Sequence, residues 1–177
     1  ITINEKGKGI PKQTEELIKS NPYVTETDTF DRSENWLPLM RGSLMNRYTN
    51  LWNNNYYVLY GKNLGAPRDS KIFECKEKII IRQTSDKIIA TIITENIICR
   101  KNLHILISEM VDHRFILGVL NSKLTNFYYQ QINPEKGEVL AEVKKTHVEQ
   151  LPIPKITSEN QQLHDDLVKL VEQMLKA

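Results

Sequence analysis

With 177 residues, 40% of them hydrophobic and 26% charged, the chain has the size and composition of one globular domain, or one domain with an appendage. No apolar run approaches the roughly 20 residues that span a bilayer, and neither a secretory signal pattern nor an Asn-x-Ser/Thr sequon is present. Net charge is only +2, but residues 1–40 carry net −2, residues 41–101 carry 11 basic and 5 acidic side chains for net +6, and residues 102–177 carry net −2. The positive segment is the footprint expected of a polyanion-binding face.

The chain opens on Ile1-Thr2-Ile3 without Met and is expected to be a piece of something longer. Residues 1–35 are polar, and a short helix is predicted from about Gln13 to Lys19, with Thr14 capping and Glu15 and Glu16 in its first turn. Asn21-Pro22-Tyr23 reads as a helix stop followed by a turn. From Trp36 the texture becomes strand-like: WLPLM ends at Arg41-Gly42, SLMNRY follows with Arg47 and Tyr48, and Tyr56–Tyr60 forms a second strand. The next loop carries Lys62 and Arg68 with Gly61, Gly65 and Pro67. Aromatics interleaved with basic residues suit nucleic-acid binding, because rings stack while Arg and Lys meet phosphate. They suit a plain antiparallel sheet equally well, and Trp36 and Tyr57 are read as sheet residues.

KIIIRQTSDKIIATII, residues 78–93, predicts a β-hairpin. Two apolar, β-branched runs, Ile79–Ile81 and Ile88–Ile93, flank the polar break Thr84–Lys87, where Ser and Asp favour a turn. The apolar residues scarcely alternate with polar ones, which suits strands covered on both faces. At the tip, Arg82, Gln83, Thr84, Ser85, Asp86 and Lys87 crowd hydrogen-bonding side chains onto a rigid support. Arg and Gln can each pair with one base edge, Arg with guanine and Gln with adenine. A solvated turn is the plainer account of such a tip.

NIIC and NLHILI predict two more short strands, with His104 a satisfied structural histidine. Cys75 and Cys99 have no His or Cys at ligand spacing and read as reduced core thiols. Asp112 opens a helix to about Ile132 whose apolar stripe, Phe115, Ile116, Val119, Leu120, Leu124, Phe127 and Tyr128, is expected to be core. Asn133-Pro134 and Gly137 end it. Lys144-Lys145 then precedes a Pro-punctuated exit at Pro152 and Pro154. Ser158 with Gln161 predicts a capping box for a C-terminal amphipathic helix built on Leu163, Leu167, Leu170, Val171 and Met174.

LPLMRGSLMNRY, YGKNLGAPRD, KIIIRQTSDKIIAT, NLHILI, FILGVLNSKLTNFYYQ and GEVLAEVKKTHVEQLPIP follow one another in this order. Together they resemble the TaqI-like C-terminal specificity domain, the target-recognition module of adenine-specific DNA methyltransferases and of type IIG restriction–modification enzymes. The resemblance runs from about Lys8 to Pro154. It implies a separate Rossmann-like methyltransferase domain of the same parent chain, with an S-adenosylmethionine loop and an Asn-Pro-Pro-aromatic motif. Asn21-Pro22-Tyr23 lacks one Pro and has no Gly-rich loop before it, so this chain is expected to recognise DNA without performing the chemistry.

The expected fold is α/β (α+β), a mixed or antiparallel sheet over about Trp36–Ile107 packed by one long helix, with a C-terminal helix. Residues 1–156 are expected to form the DNA target-recognition domain, 1–35 being its polar leading segment, and residues 157–177 to form the helix. The expected partner is double-stranded DNA in the cytoplasm, with no cofactor, metal or catalytic residue of its own. Arg82, Gln83 and Lys87 are nominated to read bases; Arg41, Arg47, Lys62 and Arg68, with Lys144 and Lys145, are nominated to meet phosphates. An enzyme in its own right is disfavoured. Asp69 and Asp86 stand alone, Glu74 and Glu77 lack an acidic partner, and Asp165-Asp166 lie on a solvated helix face, so no carboxylate cluster could hold a nuclease cation. A protein-interaction module docking through the C-terminal helix is the alternative.

Overall fold

The computed structural model describes residues 18–19, 36–54, 56–60, 68–135, 137–138 and 141–177. In chain order, β1 (Ile18–Lys19), β2 (Trp36–Met40), the small hairpin β3 (Met45–Asn46) and β4 (Thr49–Asn50), and β5 (Tyr57–Leu59) are followed by a single helical turn, α1 (Lys71–Glu74). Next come β6 (Lys78–Arg82), β7 (Ala90–Ile93), β8 (Ile98–Cys99) and β9 (Leu103–Leu106). The helices α2 (His113–Asn121), α3 (Lys123–Ile132), α4 (Lys145–Val148) and α5 (Gln161–Lys176) complete the chain. One sheet runs β1-β5-β2-β8, with only the β2–β8 pair parallel, and a second runs β7-β6-β9, antiparallel throughout.

The β7-β6-β9 sheet is the middle layer, and the period-2 side-chain alternation of its strands divides the core. Ile80, Ile93 and Leu103 face the first sheet and pack with Leu39, Met40, Val58, Phe73, Ile98 and Cys99. Ile79, Ile81, Ala90 and Ile92 face the helices and pack with Ile116, Leu117, Leu120, Tyr129, Val143, Leu151 and Val171. The unbroken apolar text of residues 78–93 thus does mark strands covered on both faces. Burial holds the Cys99 thiol up at about 12, so it is an inert core group, and Cys75 is likewise free.

Lys78, at the start of β6, is fully buried. Its ammonium donates to the carbonyls of Phe73 at 2.8 Å, Glu95 at 2.9 Å and Cys75 at 3.2 Å, so each N–H finds an acceptor. Burial presses its pKa below the ordinary lysine value. The outer edge of the hairpin is closed by side chains rather than by another strand. Asn121 exchanges a pair of hydrogen bonds with the backbone of Ala90, at 3.1 and 2.9 Å. Asn126 accepts from the Ile88 N–H at 3.0 Å. Two helix asparagines therefore stand in for the missing ladder partner of an edge strand.

The helical region differs from expectation in two ways. The single helix expected over 112–132 is divided at Ser122, which sits at ψ 154°, ends α2, and caps α3 by accepting from the Thr125 N–H at 3.0 Å. The change of direction breaks the apolar stripe. Phe115, Ile116 and Leu120 are core, but Leu124, Phe127 and Tyr128 are 76%, 63% and 39% exposed, and Thr125, Asn126 and Tyr129 turn inward in their place. The expected helix at Gln13–Lys19 is overturned at its end, because Ile18 and Lys19 pair with β5 and a ladder outweighs weak local propensity. Its remaining residues lie outside the described ones, as does Asn21-Pro22-Tyr23. The Ser158–Gln161 capping box does not form: Asn160 is the cap residue, and its side chain turns back to Thr157 and Lys155. The C-terminal helix itself is present and lies on α2, where a Cβ on Gly118 would come within 2.9 Å of Leu167 and Val171. Arg114 ties the layers together, pairing Glu77 at 3.1 Å and Glu172 of α5 at 3.4 Å.

Two outcomes follow for stability. Lys78→Met strips the donor from three backbone carbonyls, that of Phe73 buried and those of Cys75 and Glu95 part-buried, and should lower the unfolding free energy by about 2–4 kcal/mol in denaturant melts. Lys101→Met, at an exposed turn, should change it by less than about 0.5 kcal/mol. Asn121→Ala should cost about 2–3 kcal/mol and speed amide exchange at Ala90; unchanged exchange there would show that β7 does not depend on its asparagine edge.

Candidate nucleic-acid interface

The tip of the β6–β7 hairpin is pinned by backbone on both sides. Gln83 donates its N–H to the Asn102 carbonyl at 3.0 Å, and its own carbonyl accepts from the Val143 N–H at 2.6 Å. Thr84 bridges Glu142, and His104 bonds the Val143 carbonyl at 2.6 Å, which makes it the structural histidine expected. Beyond this clamp, Ser85 closes the turn by accepting from the Lys87 N–H at 3.1 Å, and Thr84 and Lys87 are exposed. The side chains of Arg82 and Gln83 part to opposite flanks, as strand neighbours must. Gln83 reaches Glu142 at 3.0 Å, whereas Arg82 donates to the Met45 carbonyl and, at 3.5 Å, to Asn46.

On the Arg82 flank lies a polar groove of about 330 Å³ lined by Arg41, Gly42, Ser43, Arg82, Thr84, Arg100 and Asn102. Strand register assembles it. β2 and β8 run parallel with Met40 opposite Cys99, so Arg41 and Arg100 leave the same ends of neighbouring strands, and the Arg100 N–H donates to the Met40 carbonyl at 3.1 Å. β6 and β9 run antiparallel with Arg82 opposite Leu103, which sets Arg82 beside Asn102. Gly42 completes the wall, for a Cβ there would stand 3.3 Å from Asn102 Nδ2 and 3.4 Å from Arg82 Cγ.

The electrostatics are one-sided. No acidic residue is among the described residues lining the groove. The Arg41 guanidinium lies over the Tyr56 ring, 4.9 Å from its centroid, a contact that orients the cation without neutralising it. Burial presses the Arg82 and Arg100 pKa values below the ordinary arginine value, and the charge of Arg41 adds to the effect on Arg100. Among the described residues, Arg82 Nε and Asn102 Oδ1 are buried without a hydrogen-bond partner.

The other nominated residues fall elsewhere. Arg47 sits at the turn of the β3–β4 hairpin and donates to the Ile88 carbonyl at 3.3 Å, close to Lys87. Arg68 and Lys145 share a more apolar groove of about 450 Å³ beside β9, Arg68 donating to the Leu103 carbonyl at 3.3 Å and Lys145 pairing Glu149 at 3.3 Å. Lys144 is bonded to Glu135, which raises its pKa and lowers that of the carboxyl. Lys62 lies outside the described residues. Sequence alone brought Arg41, Arg82, Gln83 and Lys87 to notice but missed Arg100, Asn102 and Ser43. Arg100 was counted in the basic segment, yet nothing local marks it as the neighbour of Arg41.

Among the described residues, no group of three His, Cys, Asp or Glu side chains could hold a metal ion, and no helix is long and apolar enough to cross a membrane. A comparison with curated proteins returns no match. Residues 37–153 match the TaqI-like C-terminal specificity domain, a span that takes in the hairpin, its tip and the whole arginine groove. The chain belongs to the family of TaqI-like C-terminal specificity domains.

Proposed function

We propose that this chain is the DNA target-recognition module of an adenine-specific DNA methyltransferase or type IIG restriction–modification enzyme, and that a separate methyltransferase domain of the parent chain binds S-adenosylmethionine and performs the reaction. A specificity domain selects and does not catalyse. The observation that carries the proposal is the basic groove of Arg41, Arg82 and Arg100, set directly against a rigid hairpin tip rich in hydrogen-bonding side chains. Phosphate contacts fix register and orientation on duplex DNA, and side chains at the tip read base edges. Gln83 and Lys87 are the readers in this scheme. Arg82, directed toward the Met45 carbonyl, holds the base of the tip and faces the groove. Arg47, Lys62 and Arg68 meet phosphates. Lys144 and Lys145, each paired to a glutamate, stand at the margin.

One observation favours the alternative of a protein-interaction module: Leu163, Leu170 and Met174 on the outer face of α5 are 72%, 57% and 53% exposed. Binding separates the two. A DNA module binds duplex at low salt with an affinity that falls steeply with salt, whereas an interaction module shows no such binding.

In the parent enzyme, methylation of a randomised-site library by Gln83→Ala and Lys87→Ala variants should yield altered recognition sequences, since a paired contact to one base edge discriminates by about 1–3 kcal/mol. Arg68→Ala and Arg47→Ala should lower the yield on every sequence alike. If both tip variants retain the parental sequence, the tip is scaffold and base reading lies elsewhere.

A further inference from the structure

The apolar face of α5 is wider than its packing within the chain uses. Val171 enters the core, and His164 lies against Phe115 with ring centroids 4.8 Å apart, so these residues mark the side that meets α2. One step around the helix, Leu163, Leu170 and Met174 are exposed, and Leu167 stands between the two sides. Leu167 also lines an apolar groove of about 540 Å³ with Gly118, Val119, Leu124, Tyr128 and Ile153, so the exposed stripe continues onto α2 and α3. A contiguous apolar face of this kind is a surface for association.

The spacing of the stripe selects what fits it. Leu163, Leu167, Leu170 and Met174 are separated by four, three and four residues, the alternation of a two-helix seam. That series reads the same from either end. Laid antiparallel on itself, it sets Leu163 against Met174 of the other copy and Leu167 against Leu170, the self-complementarity that a two-fold interface requires. Charge selects the same arrangement. Glu159, Asp165 and Asp166 lie before and within the first half of the helix, and Lys169 and Lys176 lie in its second half. Glu172, the one acidic residue of that second half, is paired with Arg114 at 3.4 Å. Antiparallel pairing lays the acidic start on the basic end of the other copy and opposes the helix dipoles, whereas parallel pairing lays like on like.

We propose that α5 pairs antiparallel with α5 of a second copy of this chain, the groove between α2, α3 and α5 being covered at the edge of the same interface. A two-fold dimer through α5 goes beyond DNA recognition and does not rest on it. It accounts for the exposed leucines and shares no residue with the arginine groove or the hairpin tip.

Sedimentation equilibrium of the 177-residue chain is the test, and the mass should approach twice 20.6 kDa as concentration rises. Leu170→Lys, at an exposed position on which the fold does not depend, enters the interface twice and should weaken association by about a hundredfold. Leu51→Lys, at an exposed leucine beside β4, should associate like the parent chain. Orientation is read by disulfide trapping in a Cys75→Ser background, the other cysteine, Cys99, being buried. Under mild oxidation a mixture of Leu163→Cys and Met174→Cys chains should cross-link, whereas either variant alone should not. A monomeric mass at every concentration up to about 100 μM overturns the second copy as occupant. Slowed amide exchange along α5 on adding the parent's methyltransferase domain would then give the face to that domain. Undiminished association of Leu170→Lys overturns the α5 interface, and cross-linking of Leu163→Cys with itself overturns the antiparallel arrangement.

Discussion

The structure depends on strand β6 being buried on both faces. Ile79 and Ile81 enter the helical side of the core while Ile80 enters the sheet side, and all three are wholly excluded from water. A slip of one residue would send each isoleucine to the opposite layer, so the register is fixed by packing on two sides at once. A cation held by backbone carbonyls marks each end of the strand. Lys78 gathers Phe73, Cys75 and Glu95 at the start, and Arg82 reaches Met45 at the finish. The first ties the strand to the turn before it and to the turn after β7. The second ties it to the β3–β4 hairpin. The chain beyond Arg82 therefore begins from a fixed point.

The candidate site is built outward from that point by register rather than by local motif. Parallel pairing of β2 with β8 sets Arg41 beside Arg100, and antiparallel pairing of β6 with β9 brings Arg82 to Asn102. The resulting groove is charged, concave and free of acidic residues among its described lining. On the other flank of the tip, Glu135 and Glu142 engage Lys144 and Gln83. The two flanks differ in charge, and the proposed DNA-binding face is the groove flank. The asparagine edge matters for the same reason, because Asn121 and Asn126 hold the returning arm of the hairpin to the helices and keep its tip in place.

What was legible in the sequence divides along the line between local and long-range physics. The β6–β7 hairpin could be read because seven of its eight apolar residues are isoleucine, interrupted chiefly by a polar turn, and no helix or surface strand suits that pattern. The α+β class, the caps of the helices at Asp112 and the structural role of His104 were legible in the same way. The break at Ser122 was not. Serine is tolerated in helices, and only the turn that packs α3 under the hairpin arm makes it a cap. The apolar stripe through Leu124, Phe127 and Tyr128 was misread for the same reason, since its periodicity assumed a straight helix. The strand at Ile18–Lys19 exists only through its pairing with β5. At the site, the rival faces of Arg82 and Gln83 followed from strand geometry. The meeting of Arg41 with Arg100, far apart in the chain, could be seen only once β2 and β8 were paired.

The central claim is that DNA is received on the arginine-groove flank of a rigid hairpin tip. Amide hydrogen exchange of the chain with and without a saturating mixed-sequence duplex at low salt tests it most directly, because it maps the covered face residue by residue. DNA should slow exchange at residues 41–44, 83–87 and 100–102, leave α3 and α5 unchanged, and find β6 already fully protected. Slowing confined to α5 and the exposed face of α3, with the groove and tip unaffected, would contradict the account.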